Sequence, residues 1–122
     1  MKNIILIGMP GAGKSTVGVI LAKALGMEFC DTDLIIQKNE NMLLQDIINN
    51  NGIEYFKQCE EKNILTLTCQ NTVIATGGSA VYSEKAMAHL KSGGSTVYLS
   101  VFQRSYRFLS SFRQLPKGQN GR

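Results

Sequence analysis

One histidine and three cysteines are all the soft metal ligands that these 122 residues offer, and Cys30, Cys59 and Cys69 form no CxxC pair and stand beside no histidine cluster. This excludes a fully paired disulfide scaffold and a structural zinc site, and it points to a reducing cytoplasm. Long apolar runs are missing as well. Nothing approaches the roughly 18–20 residues of a membrane span. The apolar start, Ile4-Ile5-Leu6-Ile7 after Lys2, stops at Gly8, too early for a signal peptide. No repeat or low-complexity linker interrupts the chain. Charge is sparse, 18% of residues against 43% hydrophobic, which excludes a disordered tail and leaves room for one globular domain. Acids are absent after Val101, where Arg104, Arg107, Arg113, Lys117 and Arg122 make the segment basic, whereas residues 1–101 hold eight bases and all nine acids. That segment is a candidate for meeting an anion.

What is present is alternation. Asn3 to Ile7 is an apolar run of the kind buried on both faces of a parallel sheet. Val17, Ile20, Leu21, Ala24 and Leu25 then recur at helical spacing up to Gly26, a helix C-cap signal. Met27 to Cys30 is a second strand, ending at Asp31. Leu34 to Leu67 is rich in helix formers, and Asn49-Asn50-Asn51-Gly52 divides it into two helical segments. A strand at Thr72 to Thr76, a helix from Ser83 to Lys91, a turn at Gly93-Gly94 and a strand at Thr96 to Val101 complete the order. Strands alternating with helices predict an α/β three-layer domain with right-handed crossovers and a parallel sheet, its function at the strand ends.

The chemistry is concentrated in Gly8-Met9-Pro10-Gly11-Ala12-Gly13-Lys14-Ser15, which matches the phosphate-binding loop G-x-x-x-x-G-K-[ST] between a strand and a helix. Glycines let successive N–H groups turn inward around phosphates at a helix N-terminus. Lys14 supplies a full positive charge and Ser15 a hydroxyl placed to ligate Mg²⁺. Gly11, Ala12, Gly13, Lys14, Ser15 and Thr16 are therefore the candidate ATP contacts. At the second strand's end, Asp31-Thr32-Asp33 puts two carboxylates on one side of an extended chain. Beside a phosphate loop, one can hold the water shell of Mg²⁺ and the other can take a proton from an attacking hydroxyl. Asp33 has a second reading, as the N-cap of a helix beginning at Leu34.

Four blocks in order resemble shikimate kinase: GMPGAGKST at residues 8–16, Asp31-Thr32-Asp33, Gly52-Ile53-Glu54-Tyr55-Phe56-Lys57 with Glu60 and Glu61 after it, and Val73 to Gly78. The resemblance covers residues 1 to about 101. It implies a sheet of order 2-3-1-4 and ATP-dependent phosphorylation of the 3-hydroxyl of shikimate, in aromatic amino-acid biosynthesis. It places Ser15 and Asp31 at the metal, gives Lys14 and Asp33 catalytic roles, and assigns the substrate to Asp33, Lys57, Gly77 and Gly78. Two positions depart from the family pattern. Lys57 stands where an Arg fork usually grips the substrate carboxylate, and a point charge is not an equivalent donor. Ser79 replaces a third glycine, adding a hydroxyl and restricting the backbone.

After Val101 the resemblance implies an adenine-side Arg, an Arg-bearing lid, a fifth strand and a closing helix. Arg107 is a weak match for the first and Arg113 for the second. The fifth strand has no counterpart, and residues 102–122 read as a basic helix and tail of a truncated or frame-shifted lid region. The expectation is a weakly active chain, self-associating through the uncharged edge Thr96 to Val101, from a monomeric parent. Two other readings stand beside the first: a kinase for another small hydroxylated metabolite, favoured by Lys57 and Ser79, and a non-catalytic nucleotide- or nucleic-acid-binding module. The last is favoured by arginines interleaved with Phe102, Tyr106, Phe108 and Phe112, although no RNA- or DNA-binding motif is present.

Overall fold

Ile4, Ile5 and Leu6 are buried and β-branched or bulky, and they form the middle of strand β1 (Asn3–Gly8) at the centre of a parallel sheet. The computed structural model describes residues 2–8 and 13–99. Helix α1 (Lys14–Leu25) leads to β2 (Glu28–Asp31), followed by α2 (Thr32–Glu40), α3 (Leu44–Asn51) and α4 (Ile53–Leu65). Then come β3 (Thr72–Ala75), a 3₁₀ turn at Ala80–Tyr82, α5 (Glu84–Ser92) and β4 (Gly94–Leu99). All pairings are parallel, in the order β2-β3-β1-β4 that the sequence led us to expect.

Alternation along β1 builds the three layers. Ile4 and Leu6 point to one face, where α1 covers them with Val17, Leu21 and Ala22. Ile5 points to the other, against Ile64 of α4 and Ala86 and Leu90 of α5. A third cluster, Ile36, Ile47, Phe56 and Cys59, ties α2, α3 and α4 together. Met42, Leu44 and Ile48 pack against this cluster, whereas Leu43 is exposed. Cys59 is a buried packing residue whose thiol burial pushes up, and so is not a reactive group.

Three expectations need correction. The stretch after Asp31 holds three helices instead of two segments, because Asn41 takes a left-handed conformation (φ 53°) and caps α2 before the break at Gly52. Gln37 stabilises the α2–α3 junction by accepting at its Oε1 the N–H of Leu44, at 3.1 Å. Helix α2 also begins at Thr32 and not Leu34. Finally, β4 begins at Gly94, inside the expected turn. A Cβ there would lie 2.1 Å from the Asn3 backbone oxygen, so glycine admits the close pairing of Gly94 with Asn3. The expected end of that strand, any covering of its outer edge, and the basic segment 102–122 lie outside the described residues. No helix among the described residues is long and apolar enough to cross a membrane.

Candidate active site

The parallel sheet delivers the C-terminal ends of β1, β2 and β3 to one side, where Gly8, Asp31 and Thr76 stand. Helix α1 opens there at Gly13 (φ 83°) with no side-chain cap, whereas Asp31 caps α2 and Ser83 caps α5. The first turn of α1 thus points the positive end of the helix dipole toward this side. Lys14 is buried beside them and donates from Nζ to Gly8 O at 3.1 Å. Burial holds its ammonium below the usual lysine range, while the nearby Asp33, Glu60 and Asp31 pull it back up.

A cleft of about 300 Å³ brings Lys14, Ser15, Asp31 and Asp33 together with Gly77 and Gly78. Gly13 and Thr16 line it too, while Gly11, Ala12 and Arg107 lie outside the described residues. Lys57 is not in this group. It is exposed, pairs with Glu54 across one helical turn at 3.8 Å, and lines a neighbouring hollow of about 170 Å³ with Ser79. A larger hollow, about 680 Å³, sits at the opposite end of the strands between Asn3, Cys69 and His89. His89 is engaged there with Leu67 O at 2.7 Å, a packing role, and no comparable set of carboxylates and lysine gathers there.

The two aspartates reach the cleft by a different route from simple strand alternation. Asp31 ends β2 and is itself the N-cap of α2, its Oδ1 accepting the N–H of Asp33 at 2.9 Å and of Leu34 at 3.4 Å. Its Oδ2 accepts the Ser15 hydroxyl at 2.5 Å. This puts a hydroxyl and a carboxylate side by side, a hard-oxygen pair that suits Mg²⁺ shared with phosphate oxygens. Asp33 is therefore not the cap. Its carboxyl lies inside the first turn, with Oδ1 buried and without a hydrogen-bond partner among the described residues. Burial and the charge of Asp31 push its pKa up, against the pull of Lys14.

Glu60 was not singled out by its sequence context. It is fully buried on α4 and accepts the Ser79 hydroxyl at Oε1, while Oε2 has no hydrogen-bond partner within ordinary geometry among the described residues. Gly77 explains how the two acids meet, since a Cβ there would fall 2.1 Å from Glu60 Oε2 and 2.7 Å from Asp33 Oδ1. Its glycine keeps open the space that both oxygens face. Thr32, between the two aspartates, is buried and accepts the Gly77 N–H at 3.2 Å, fixing that loop against α2. Two buried acceptors beside one gap suit a ligand that donates hydroxyls. Ser79 has φ −100°, which any residue adopts, so the expected backbone restriction carries no strain.

Burial pushes the Glu60 carboxyl up, the Ser79 hydroxyl pulls it back, and the Asp33 charge adds to the rise. A folded-state pKa above the unfolded one favours folding below the unfolded value, and this contribution is lost as pH rises through the folded value. Glu60→Gln keeps an acceptor for Ser79 and supplies an amide donor for Asp33. Its unfolding midpoint should match the wild type near about pH 4 and exceed it increasingly toward about pH 8. Denaturant melts across that range check the sign, and equal midpoints at the alkaline end would refute the assignment.

The family model described as shikimate kinase matches residues 10–117. A shikimate kinase from Sulfurihydrogenibium sp. is 42% identical over 102 residues, 83% of this chain and 61% of the relative's own length. The chain thus spans about three fifths of that relative. Among solved structures, the shikimate kinase of Acinetobacter baumannii in complex with shikimate superposes with a TM-score of 0.78 at 34% identity, over 98% of this chain and 72% of that one. The Aquifex aeolicus enzyme gives 0.72 at 38% identity, over 79% and 58%. The P-loop, the parallel sheet and the four ordered sequence blocks agree with these matches, and the chain belongs to the shikimate kinase family.

Proposed function

We propose that the protein transfers the γ-phosphoryl group of ATP to the 3-hydroxyl of shikimate, in the cytoplasm, as a step of aromatic amino-acid biosynthesis. The observation that carries this reading is the convergence of the α1 N-terminus and Lys14 with Asp33 in one cleft, where the buried oxygens Asp33 Oδ1 and Glu60 Oε2 both face Gly77. A phosphate fits the first half and a polyol the second. Mg-ATP, when bound, supplies the electrophilic phosphoryl group. The α1 N–H groups and Lys14 hold its phosphates and oppose the charge that spreads over the equatorial oxygens. Ser15 and Asp31 would hold the Mg²⁺ that accompanies the nucleotide. Asp33, its carboxyl pushed up chiefly by burial, orients the acceptor hydroxyl and takes its proton. Gly77 and Gly78 let the acceptor approach the backbone. Three free thiols agree with a reducing compartment.

Lys57 is proposed to meet the substrate carboxylate from the neighbouring hollow as a single charge. The reading is tested by ADP release from Mg-ATP against shikimate, quinate, gluconate and nucleoside monophosphates, repeated with Lys57→Arg. Shikimate is expected to give turnover, and the Arg variant a lower shikimate KM, since two parallel hydrogen bonds replace one. Turnover with gluconate and none with shikimate would move the assignment to another hydroxylated metabolite. The arginine-and-aromatic segment that would serve a nucleic-acid module lies outside the described residues.

A further inference from the structure

We infer that Ser79 is the positioning residue of the acceptor end of the cleft: its hydroxyl anchors Glu60 Oε1 and so turns Oε2 toward Gly77 and Asp33. The inference deepens the kinase reading, on which its kinetic test rests, by naming the residue that keeps the second acidic acceptor in place.

Glu60 is 1% exposed, and a buried carboxylate needs donors to hold one rotamer and one charge state. The cation one turn earlier on its own helix does not serve, because Lys57 pairs outward with Glu54. The charged groups that face Glu60 are Asp33 from α2, which repels it, and Lys14 from α1, which attracts it. Phosphate bound at Lys14 would take up that attraction, leaving the Ser79 hydroxyl, the stronger donor, with the weaker Gly77 N–H to hold the carboxylate. Ser79 itself is set firmly. It opens the 3₁₀ turn, accepts the Tyr82 N–H at 3.1 Å, and sits four residues before Ser83, whose hydroxyl donates to Glu61 Oε2 at 2.5 Å. Two serine–glutamate bonds therefore clamp successive residues of α4 to one loop. The first faces Asp33 and the cleft. The second borders the neighbouring hollow and provides an internal control.

The test compares Ser79→Ala, Ser79→Thr and Ser83→Ala in the full chain. Ser79 has an ordinary backbone conformation, so alanine introduces no strain. Ser79→Ala should raise the shikimate KM about tenfold, the scale of a hydrogen bond to a charged group, and leave the ATP KM unchanged. Ser79→Thr keeps the hydroxyl and should restore most of the affinity. Ser83→Ala loses a similar bond and the α5 cap, so it should lower the unfolding midpoint and leave the Glu60 titration where it is in the wild type. Independently of turnover, carbon-13 NMR of the Glu60 carboxyl, assigned by its loss in Glu60→Gln, should titrate about one pH unit higher in Ser79→Ala, a tenfold gain in proton affinity. An unchanged Glu60 midpoint overturns the inference whether or not shikimate is turned over. So does an unchanged shikimate KM in an active enzyme. Absence of turnover in the wild type counts against the kinase reading instead, and the titration then decides the role of Ser79.

Discussion

Lys14→Met is expected to abolish measurable phosphoryl transfer while leaving the fold in place. Lys14 is buried at the mouth of α1, and burial already disfavours its charge, so an unbranched apolar side chain of similar length fits the site without a desolvation cost. What it loses is the charge-assisted contact to phosphate. Each such bond contributes about 1.5–3 kcal/mol, or roughly 10- to 150-fold in nucleotide affinity. The loss in rate should be larger, on the order of 10³-fold or more, because the charge acts most strongly on the transferring group. Calorimetry with Mg-ATP and a denaturant melt separate the two effects. Equal nucleotide affinity in the two proteins would remove the P-loop from the account.

Asp33→Asn has the second largest expected effect and a different signature. The amide keeps the shape but cannot take a proton, so turnover should fall on the order of 10²- to 10⁴-fold with nucleotide affinity retained. The first turn of α2 should stay intact, because its cap is Asp31 and not Asp33. Relief of the buried charge should also make the variant more stable than the wild type as pH rises above the range of an ordinary carboxylate, since Asp33 is pushed up mainly by burial. A variant with full turnover would return Asp33 to a structural role.

The sequence was most legible where chemistry lies in contiguous residues. Lys14 and Ser15 could be placed because strand, glycine loop and helix follow one another within a single βα unit, and local geometry then dictates the ligand. Strand number followed from apolar runs, and their order from the family resemblance. Asp33 was ambiguous because helix initiation shifts by a residue or two on capping energies of about 1 kcal/mol. Once α2 starts at Thr32, the cap role passes to Asp31 and Asp33 is released to the cleft. Asn41 escaped notice because a helix former and a left-handed cap look alike in a polar stretch. Glu60 was hidden for a deeper reason. Nothing in Glu60-Glu61 says which acid is buried; that depends on packing of α4 against the Gly77 loop, a contact between segments 17 residues apart. Lys57 depends on packing in the same way, since its block does not say that the side chain lines a neighbouring hollow beside Glu54 and not the cleft itself.

The most direct test of the account is phosphorus-31 NMR of stoichiometric protein incubated with Mg-ATP and shikimate, which registers even slow transfer. The account predicts growth of a phosphomonoester resonance coupled to the proton on carbon 3 of shikimate, with matching loss of the ATP γ signal, in the wild type and not in Lys14→Met. ATP loss to free phosphate alone, an ester at another hydroxyl, or transfer that persists without Lys14 would contradict it.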